Sequence, residues 1–583
     1  MKKLIFLLVL LIPFSIKAYD EAIVDINNLS IKELQEYVDK GYLTYEKITK
    51  LYLDRIEEYN KQYNAIITVN ENALEEAKKL DEEYKKNGRT SLIYGLPVII
   101  KDNIDVKGLP TTNGTKALLD SIPYENATVV QKLIDNGAII IAKSNMDEFA
   151  FNASYSYSSF GYVYNAFNTD YSSYGSSGGS AVAVSSNLAV YALGSDTGSS
   201  VRVPSSANGV VGIRPSYDII SGDGVIKFDS TRDVVGVITK YVSDSAIVLD
   251  IIDNEEVKYT DYLSNSLEGV KIGVIKGFIN PYTNSDSVAY GKTDMFIYDM
   301  MNESIKTLES LGAEIIYLDS FYLNYKFDAT AMCYEFNEYI QNTSSKIKSL
   351  DDLIKTGLYT QYIDSYNGYY CNHDYKLTDT YKNYINNRNN NIKTANNRFD
   401  SYKLDAIIYP TIKNELIKIE NVRSTKLHTP SSDIAPLVGF PAISIPMGYY
   451  NNLPYGLEIV TQAKNESMIY KIASAYESKN KLYKTPDVAP RLYSIPENLS
   501  TLLSYYEQYN NNKAYENINN KTKDFINNYS SNEDVIDELI LEYEKPIENN
   551  NEETKIIEFN IISFSIIILL IVFIIKKVIK WKN

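Results

Sequence analysis

Residues 174–184 read YGSSGGSAVAV, a glycine- and serine-rich cluster running straight into small apolar residues. Such clusters ordinarily mark turns, because glycine tolerates unusual backbone angles and serine bonds to nearby backbone. A second stretch, GSDTGSSVRVP (194–204), repeats the theme a short way on. Two serine-bearing glycine loops so close together are either ordinary turns or mounts for exposed nucleophiles. The surrounding residues decide between the two.

Around the loops the chain alternates between two periodicities. LPVIIKD (96–102) and GAIIIAKSN (137–145) are short β-branched runs, and ATVVQKLIDN between them has helical spacing. That alternation predicts an α/β fold with buried strands. VKIGVIKG (270–277) and ESIKTLESLGAEIIYL (303–318) repeat it, and LDAIIYPT (404–411) and PAISIPMG (441–448) read as further buried strands. In residues 30–85, Leu34, Tyr37, Val38, Ile48, Leu51, Tyr52 and Ile56 fall at helical spacing, which predicts an N-terminal helical layer. Residues 320–400 read as mostly helical and tyrosine-rich.

With 583 residues the chain is long enough for a large core, and a net charge of −16 argues against a nucleic-acid partner. The two histidines, His373 and His428, have no metal-ligand spacing, so neither a metal nor a cofactor is expected. Two loop histidines are the ordinary reading, ahead of recruitment into a Ser-His-Asp triad. Cys333 and Cys371 lack any Cys-x-x-Cys pattern, and their spacing leaves pairing open.

Three residues form a candidate constellation. Lys101 directly follows an apolar run, where a lysine is either a solvated strand end or a desolvated base with a lowered pKa. Ser176 sits in the first glycine loop and Ser200 in the second. Taken singly, each serine reads as a turn residue.

Together these stretches resemble the amidase signature family. Gly-Ser-Ser-Gly-Gly stands at 175–179, DTGSSVR at 196–202 matches the form Asp-x-Gly-Gly-Ser-x-Arg, and Gly95, Pro97, Lys101 and Asp102 match the lysine motif. AKSNMDEFA (142–150), NGVVGIRPS (208–216), DVVGVITKYVSDSAIVLD (233–250) and PLVGFPAISIPMGYYNNLPYGLEIV (436–460) extend the resemblance from about Ser30 into the 490s. It implies a large mixed, twisted β-sheet flanked by helices on both faces. It also implies a Ser-Ser-Lys triad, with Ser200 as nucleophile, Ser176 (after a cis peptide) as bridge and Lys101 as terminal base. The backbone N–H groups of Thr197, Gly198, Ser199 and Ser200 would form the oxyanion hole, and Asp196 and Arg202 would shape the loop. Ser199 stands where the family more often has glycine, so a left-handed backbone there would be strained.

Both termini carry address-like patterns. MKKLIFLLVLLIPFSIKA (1–18) has the layout of a secretory signal peptide. Phe559–Ile575 is uncharged and almost wholly apolar, followed by Lys576, Lys577, Lys580 and Lys582. The domains expected are a signal peptide (1–18), a catalytic domain (19–497), a polar stalk rich in Asn and Glu (498–555) with one short helix at 534–543, a transmembrane helix (556–575) and a cytoplasmic basic tail (576–583). The function expected is that of an exported, membrane-tethered amidase acting on a small-molecule or peptide amide, its catalytic domain extracytoplasmic. A lipid amidase resembling fatty acid amide hydrolase and a non-catalytic binding protein on the same fold are the alternatives. The A subunit of glutamyl-tRNA amidotransferase, which the SNMDEFA block resembles, ranks behind them on this reading.

Overall fold

The computed structural model describes residues 26–282, 292–324, 331–360, 363, 371, 375–425, 434–492, 498–527 and 533–545. The predicted signal peptide, transmembrane helix and basic tail, and both histidines, lie outside the described residues. The chain divides into two compact units, Met1–Ser494 and Ile495–Asn583.

The first unit begins with the predicted helical layer. α1 (Ile31–Asp39) starts at a reciprocal Ser30/Glu33 capping box, which satisfies donors that the first turn leaves open. α2 (Tyr45–Tyr63) buries Tyr45, Ile48, Leu51, Tyr52 and Ile56 along one face. α3 (Ala73–Asn87) follows. The Arg55 guanidinium pins α2 to the sheet layer by donating to the carbonyls of Ser186, Asn187 and Ala489.

The sheet strands are β1 (Ile66–Val69), β2 (Pro97–Lys101) and β3 (Ile139–Ser144). A separate hairpin follows, formed by β4 (Tyr157–Ser158) and β5 (Gly161–Tyr162). The sheet resumes with β6 (Tyr191–Asp196), β7 (Val211–Arg214), β8 (Val234–Thr239), β9 (Lys271–Ile275) and β10 (Glu314–Leu318). β11 (Ala406–Pro410), β12 (Ala442–Tyr450) and β13 (Leu453–Val460) complete it. Apart from the hairpin they form one 11-stranded sheet in the order β1-β3-β2-β6-β8-β7-β12-β13-β11-β9-β10. It is mixed: β2 runs parallel to β3 and β6, and β8 runs antiparallel to β6 and β7. The mixed α/β sheet with helices agrees with the expectation from sequence. β2, β3 and β6 are buried along their whole length, and in β2 and β3 that burial shows as the apolar runs VII and IIIA.

α4 (Thr128–Asp135) joins β2 to β3, α5 (Gly178–Ser185) leads into β6, and α6 (Arg202–Ala207) leads into β7. Every residue of α5 and α6 is buried. Cys333 and Cys371 are disulfide-bonded, tying the helix Ala331–Ile340 to a residue 38 positions on.

The second unit corrects the expected polar stalk with one short helix. Its described residues form three α-helices, Leu499–Tyr509, Glu516–Asn527 and Glu533–Glu544. Tyrosine supplies the packing that the asparagine-rich composition conceals. Tyr505, Tyr509, Tyr515 and Tyr543 stack with centroids 4.1–6.4 Å apart and ring planes 13–22° from parallel. Leu499, Leu502, Ile536, Leu539 and Tyr543 are buried, and the other three tyrosines are partly exposed.

Candidate active site

The sheet brings the two loops and the lysine to one edge. Lys101 is the last residue of β2 and Asp196 the last of β6, and these neighbouring parallel strands end on the same side. The carboxyl edge of parallel strands is where ligands bind in open α/β sheets. The segment 174–177 reaches this edge immediately before α5.

Close packing explains the glycines there. None of Gly175, Gly178 and Gly179 has a left-handed φ. A Cβ on Gly179 would stand 2.2 Å from the Asn145 carbonyl oxygen, and one on Gly175 2.3 Å from that of Tyr155. Backbone passes so near that no side chain fits. The peptide bond between Gly175 and Ser176 is cis. Ser199, likewise, is not left-handed, so the serine in place of glycine carries no strain of that kind.

Lys101 is fully buried. Its Nζ lies 2.7 Å from Ser176 Oγ and 2.9 Å from Ser195 Oγ. Burial pulls the Lys101 ammonium down to about 7, against the opposing fields of Asp196, Asp147 and Asp233. The two loops are tied by the Ser177 N–H, which donates to the Ser200 carbonyl at 3.0 Å, and the Asp147 N–H donates to the Ser176 carbonyl at 3.1 Å. Ser200 is buried at 6% exposure, beside the partly exposed Gly198.

Asp196 organises the second loop. Its carboxylate accepts from the Val201 N–H at 3.1 Å, from Arg202 Nε at 3.1 Å and from Arg214 at 3.1 Å. Arg202 reaches on to the Gly198 carbonyl and to the buried Glu458. Burial pushes the Asp196 carboxyl up, but the Arg202 and Arg214 guanidinium groups outweigh it and hold it below the usual value. Among the described residues, the backbone N–H groups of Thr197, Gly198, Ser199 and Ser200 are bonded to no acceptor. The structure therefore gathers Lys101, Ser176, Ser200, the four-residue donor loop, Asp196 and Arg202 at one place.

Ser195 and Asn103 belong here too, and sequence reasoning finds neither. Asn103 Nδ2 donates to Ser195 Oγ at 3.0 Å. The available signal is positional only: Asn103 stands two residues after Lys101, in the turn that ends β2. A neutral amine bonded to one serine hydroxyl, with a second serine in a bed of unbonded N–H groups, can deliver an alkoxide equivalent to an acyl carbon and stabilise the resulting oxyanion.

Residues 47–470 match the family model Amidase. The chain is 35% identical to the A subunit of the glutamyl-tRNA(Gln) amidotransferase of Thermoanaerobacter pseudethanolicus, over 79% of this chain and 98% of the relative. It superposes on a peptide amidase from Stenotrophomonas maltophilia with a TM-score of 0.69 at 26% identity, covering 79% of this chain and 99% of the other. It also superposes on the A subunit of the glutamyl-tRNA(Gln) amidotransferase of Thermotoga maritima with a TM-score of 0.61 at 28% identity, covering 80% and 99%. The chain belongs to the amidase family and is an amidase-family enzyme.

These relatives overturn part of the sequence reading. That reading ranks the amidotransferase A subunit last, whereas relatives at up to 35% identity over nearly their whole length carry that name. The expectation of an exported, membrane-tethered enzyme is corrected with it. Among the described residues no helix is long and apolar enough to cross a membrane.

Proposed function

We propose that this amidase-family enzyme cleaves a carboxamide C–N bond with Ser200 as nucleophile, Ser176 as proton bridge and Lys101 as terminal base, and that it does so as an amidotransferase A-type subunit. The observation that carries the chemistry is the 2.7 Å contact between Lys101 Nζ and Ser176 Oγ inside a fully buried setting. The support for the amidotransferase role is the name shared by relatives that the chain matches along 98% of their length.

A serine hydroxyl is too weak an acid to attack an amide unaided. Neutral Lys101 takes the Ser176 proton as Ser176 takes that of Ser200, and Ser200 Oγ bonds to the carbonyl carbon. The oxyanion forms against the N–H groups of residues 197–200, where each donor is worth about 3–4 kcal/mol in the transition state. The relay then runs backwards. The proton reaches the departing nitrogen, the C–N bond breaks, and an acyl group remains on Ser200. Water activated by the same relay cleaves that ester and restores the serine. In an amidotransferase the released ammonia passes to an acceptor handled by companion subunits. Asp196 and Arg202 hold the donor loop in shape through their shared ion pair.

Ammonia release from glutamine and asparagine by the chain alone, and amide formation on glutamate-charged tRNA with companion subunits added, test both parts. Turnover that disappears in Ser200→Ala supports the assignment, and turnover that survives in the folded variant sinks it. Hydrolysis without any tRNA amidation in the complete mixture removes the amidotransferase role and leaves the hydrolytic one.

A further inference from the structure

The bridging serine is held from outside its own loop. Ser156, the residue before β4, is fully buried. Its Oγ lies 2.9 Å from the Tyr174 carbonyl and 3.2 Å from the Ser176 carbonyl, and accepts from the Gly178 N–H at 3.1 Å. One hydroxyl therefore meets the backbone at Ser176 and two residues to either side of it. Its single proton is shared between the two carbonyls, and a lone pair takes the amide. Each carbonyl has a second donor: Ser173 Oγ at 3.0 Å for Tyr174, and the Asp147 N–H at 3.1 Å for Ser176. Gly178 opens α5, where an N–H has no partner within the helix, and Ser177 before it makes no side-chain cap bond. Ser156 supplies that cap. A Cβ on Gly178 would stand 2.5 Å from Ser156 Oγ, so the glycine keeps the place of the hydroxyl open.

Asp147 places Ser156 in turn. Its Oδ1 accepts from the Tyr157 N–H at 3.0 Å and its Oδ2 from the Asn152 N–H at 2.8 Å, so one carboxylate gathers both ends of the 152–157 segment. The bonds form a closed ring. The Asp147 N–H holds the Ser176 carbonyl, that carbonyl meets Ser156 Oγ, and Tyr157, bonded covalently to Ser156, returns to the Asp147 carboxylate. Tyr174 has a left-handed φ of 59°, unfavourable for an aromatic residue, and the Ser156 contact to its carbonyl helps to hold it there.

We propose that Ser156 is a positioning residue that fixes the backbone around Ser176 and so keeps Ser176 Oγ 2.7 Å from Lys101 Nζ. This rests on the assignment of Ser176 as the proton bridge. The clamp matters most where a proton must be delivered. A departing amide nitrogen needs one, whereas the phenolate of an activated aryl ester leaves without it. Ser156 therefore contributes more to amide cleavage than to ester cleavage.

The test uses the full chain with glutamine, read by ammonia release, and p-nitrophenyl acetate, read by nitrophenolate release. In Ser156→Ala, kcat on glutamine should fall about 10–10²-fold, the cost of a small misplacement of a reacting group, with KM nearly unchanged. The loss on the ester should be much smaller. Adding Ser156→Ala to Ser176→Ala should lower kcat no further, because Ser156 acts only through Ser176. Ser156→Cys puts a weaker donor in the same place and should show the same selective loss in smaller measure. Equal losses on both substrates, an unchanged kcat in folded Ser156→Ala, or a further loss in the double variant overturns the proposal. If Ser156→Ala does not fold, the selectivity of the loss in Ser156→Cys decides alone. A Ser176→Ala variant with wild-type kcat on glutamine removes the underlying assignment, whereas an impaired Ser176→Ala beside a wild-type-like Ser156→Ala removes only the role of Ser156.

Discussion

At the scale of single residues, the decisive fact is that a lysine sits fully buried with no carboxylate bonded to it. Its partners are the hydroxyls of Ser176 and Ser195, and burial brings its pKa to about 7. kcat/KM should therefore rise with pH through about 7 as Lys101 loses its proton, a limb that a pH–rate profile would show. Lys101→Met should remove that limb and lower kcat by about 10²–10⁴, the usual span for general acid–base terms. The same shift has a consequence for stability. The unfolded lysine holds its proton up to about pH 10.4, so between about 7 and 10 the unfolded chain binds more protons than the folded one and the fold gains stability as pH rises. Wild type should thus gain on Lys101→Met by on the order of 1 kcal/mol per pH unit across that window. Chemical denaturation of the two proteins near neutral pH and again near the top of that window measures the difference. A gap that does not change with pH would show that Lys101 is charged when folded.

At the scale of elements, the strand that ends in the base and the helix that follows the bridging serine are held apart by almost nothing. α5 is short, wholly buried and built from glycine, serine, alanine and valine. In an ordinary helix Gly→Ala gains about 1 kcal/mol. At Gly179 the new methyl would meet the carbonyl oxygens of Asn145 at 2.2 Å and Ala65 at 2.5 Å, both backbone atoms that cannot rotate away. Gly179→Ala should therefore destabilise by about 1–3 kcal/mol or more and move Ser176 relative to Lys101. A lower Tm together with a lower kcat is the expected pair of results, and a raised Tm would mean that the helix has room to shift. β2 and β3 are legible in the sequence because burial on both faces leaves them as largely β-branched apolar runs, whereas β6 runs into the second serine loop and does not read as a strand. The two serine loops are legible because their composition is so unlike that of a strand or an amphipathic helix. Ser195 and Asn103 are not, since each is a single small polar residue whose role exists only once β2 and β6 lie side by side. The glycines are conspicuous but their cause is not, because close approach of remote backbone leaves no local trace. The pairing of Cys333 with Cys371 is hidden for the same reason: spacing does not report which loops the fold brings together.

At the scale of the whole molecule, the family match and the packing draw the same line. Residues 47–470 carry the Amidase match, and 79% of this chain spans 98% of an amidotransferase relative. The Amidase match lies wholly within Met1–Ser494, and the unit that follows lies outside it. The additional unit has its own packing, with four stacked tyrosines, and a bond from the Tyr543 hydroxyl to Asn519 at 2.8 Å that joins two of its helices. Its composition conceals a folded unit because asparagine and glutamate outnumber the few buried leucines and isoleucines, over which partly exposed tyrosines stack. Units that each close their own core are separable, since few contacts need to cross the boundary. A chain ending at Ser494 should accordingly fold and keep kcat/KM within about threefold of the full chain. A fragment of residues 495–545 should show helical circular dichroism and lose it in one cooperative melt. Loss of activity in the truncated chain with its circular dichroism intact would place a catalytic requirement in the second unit, and loss of both would mean that the first does not fold alone.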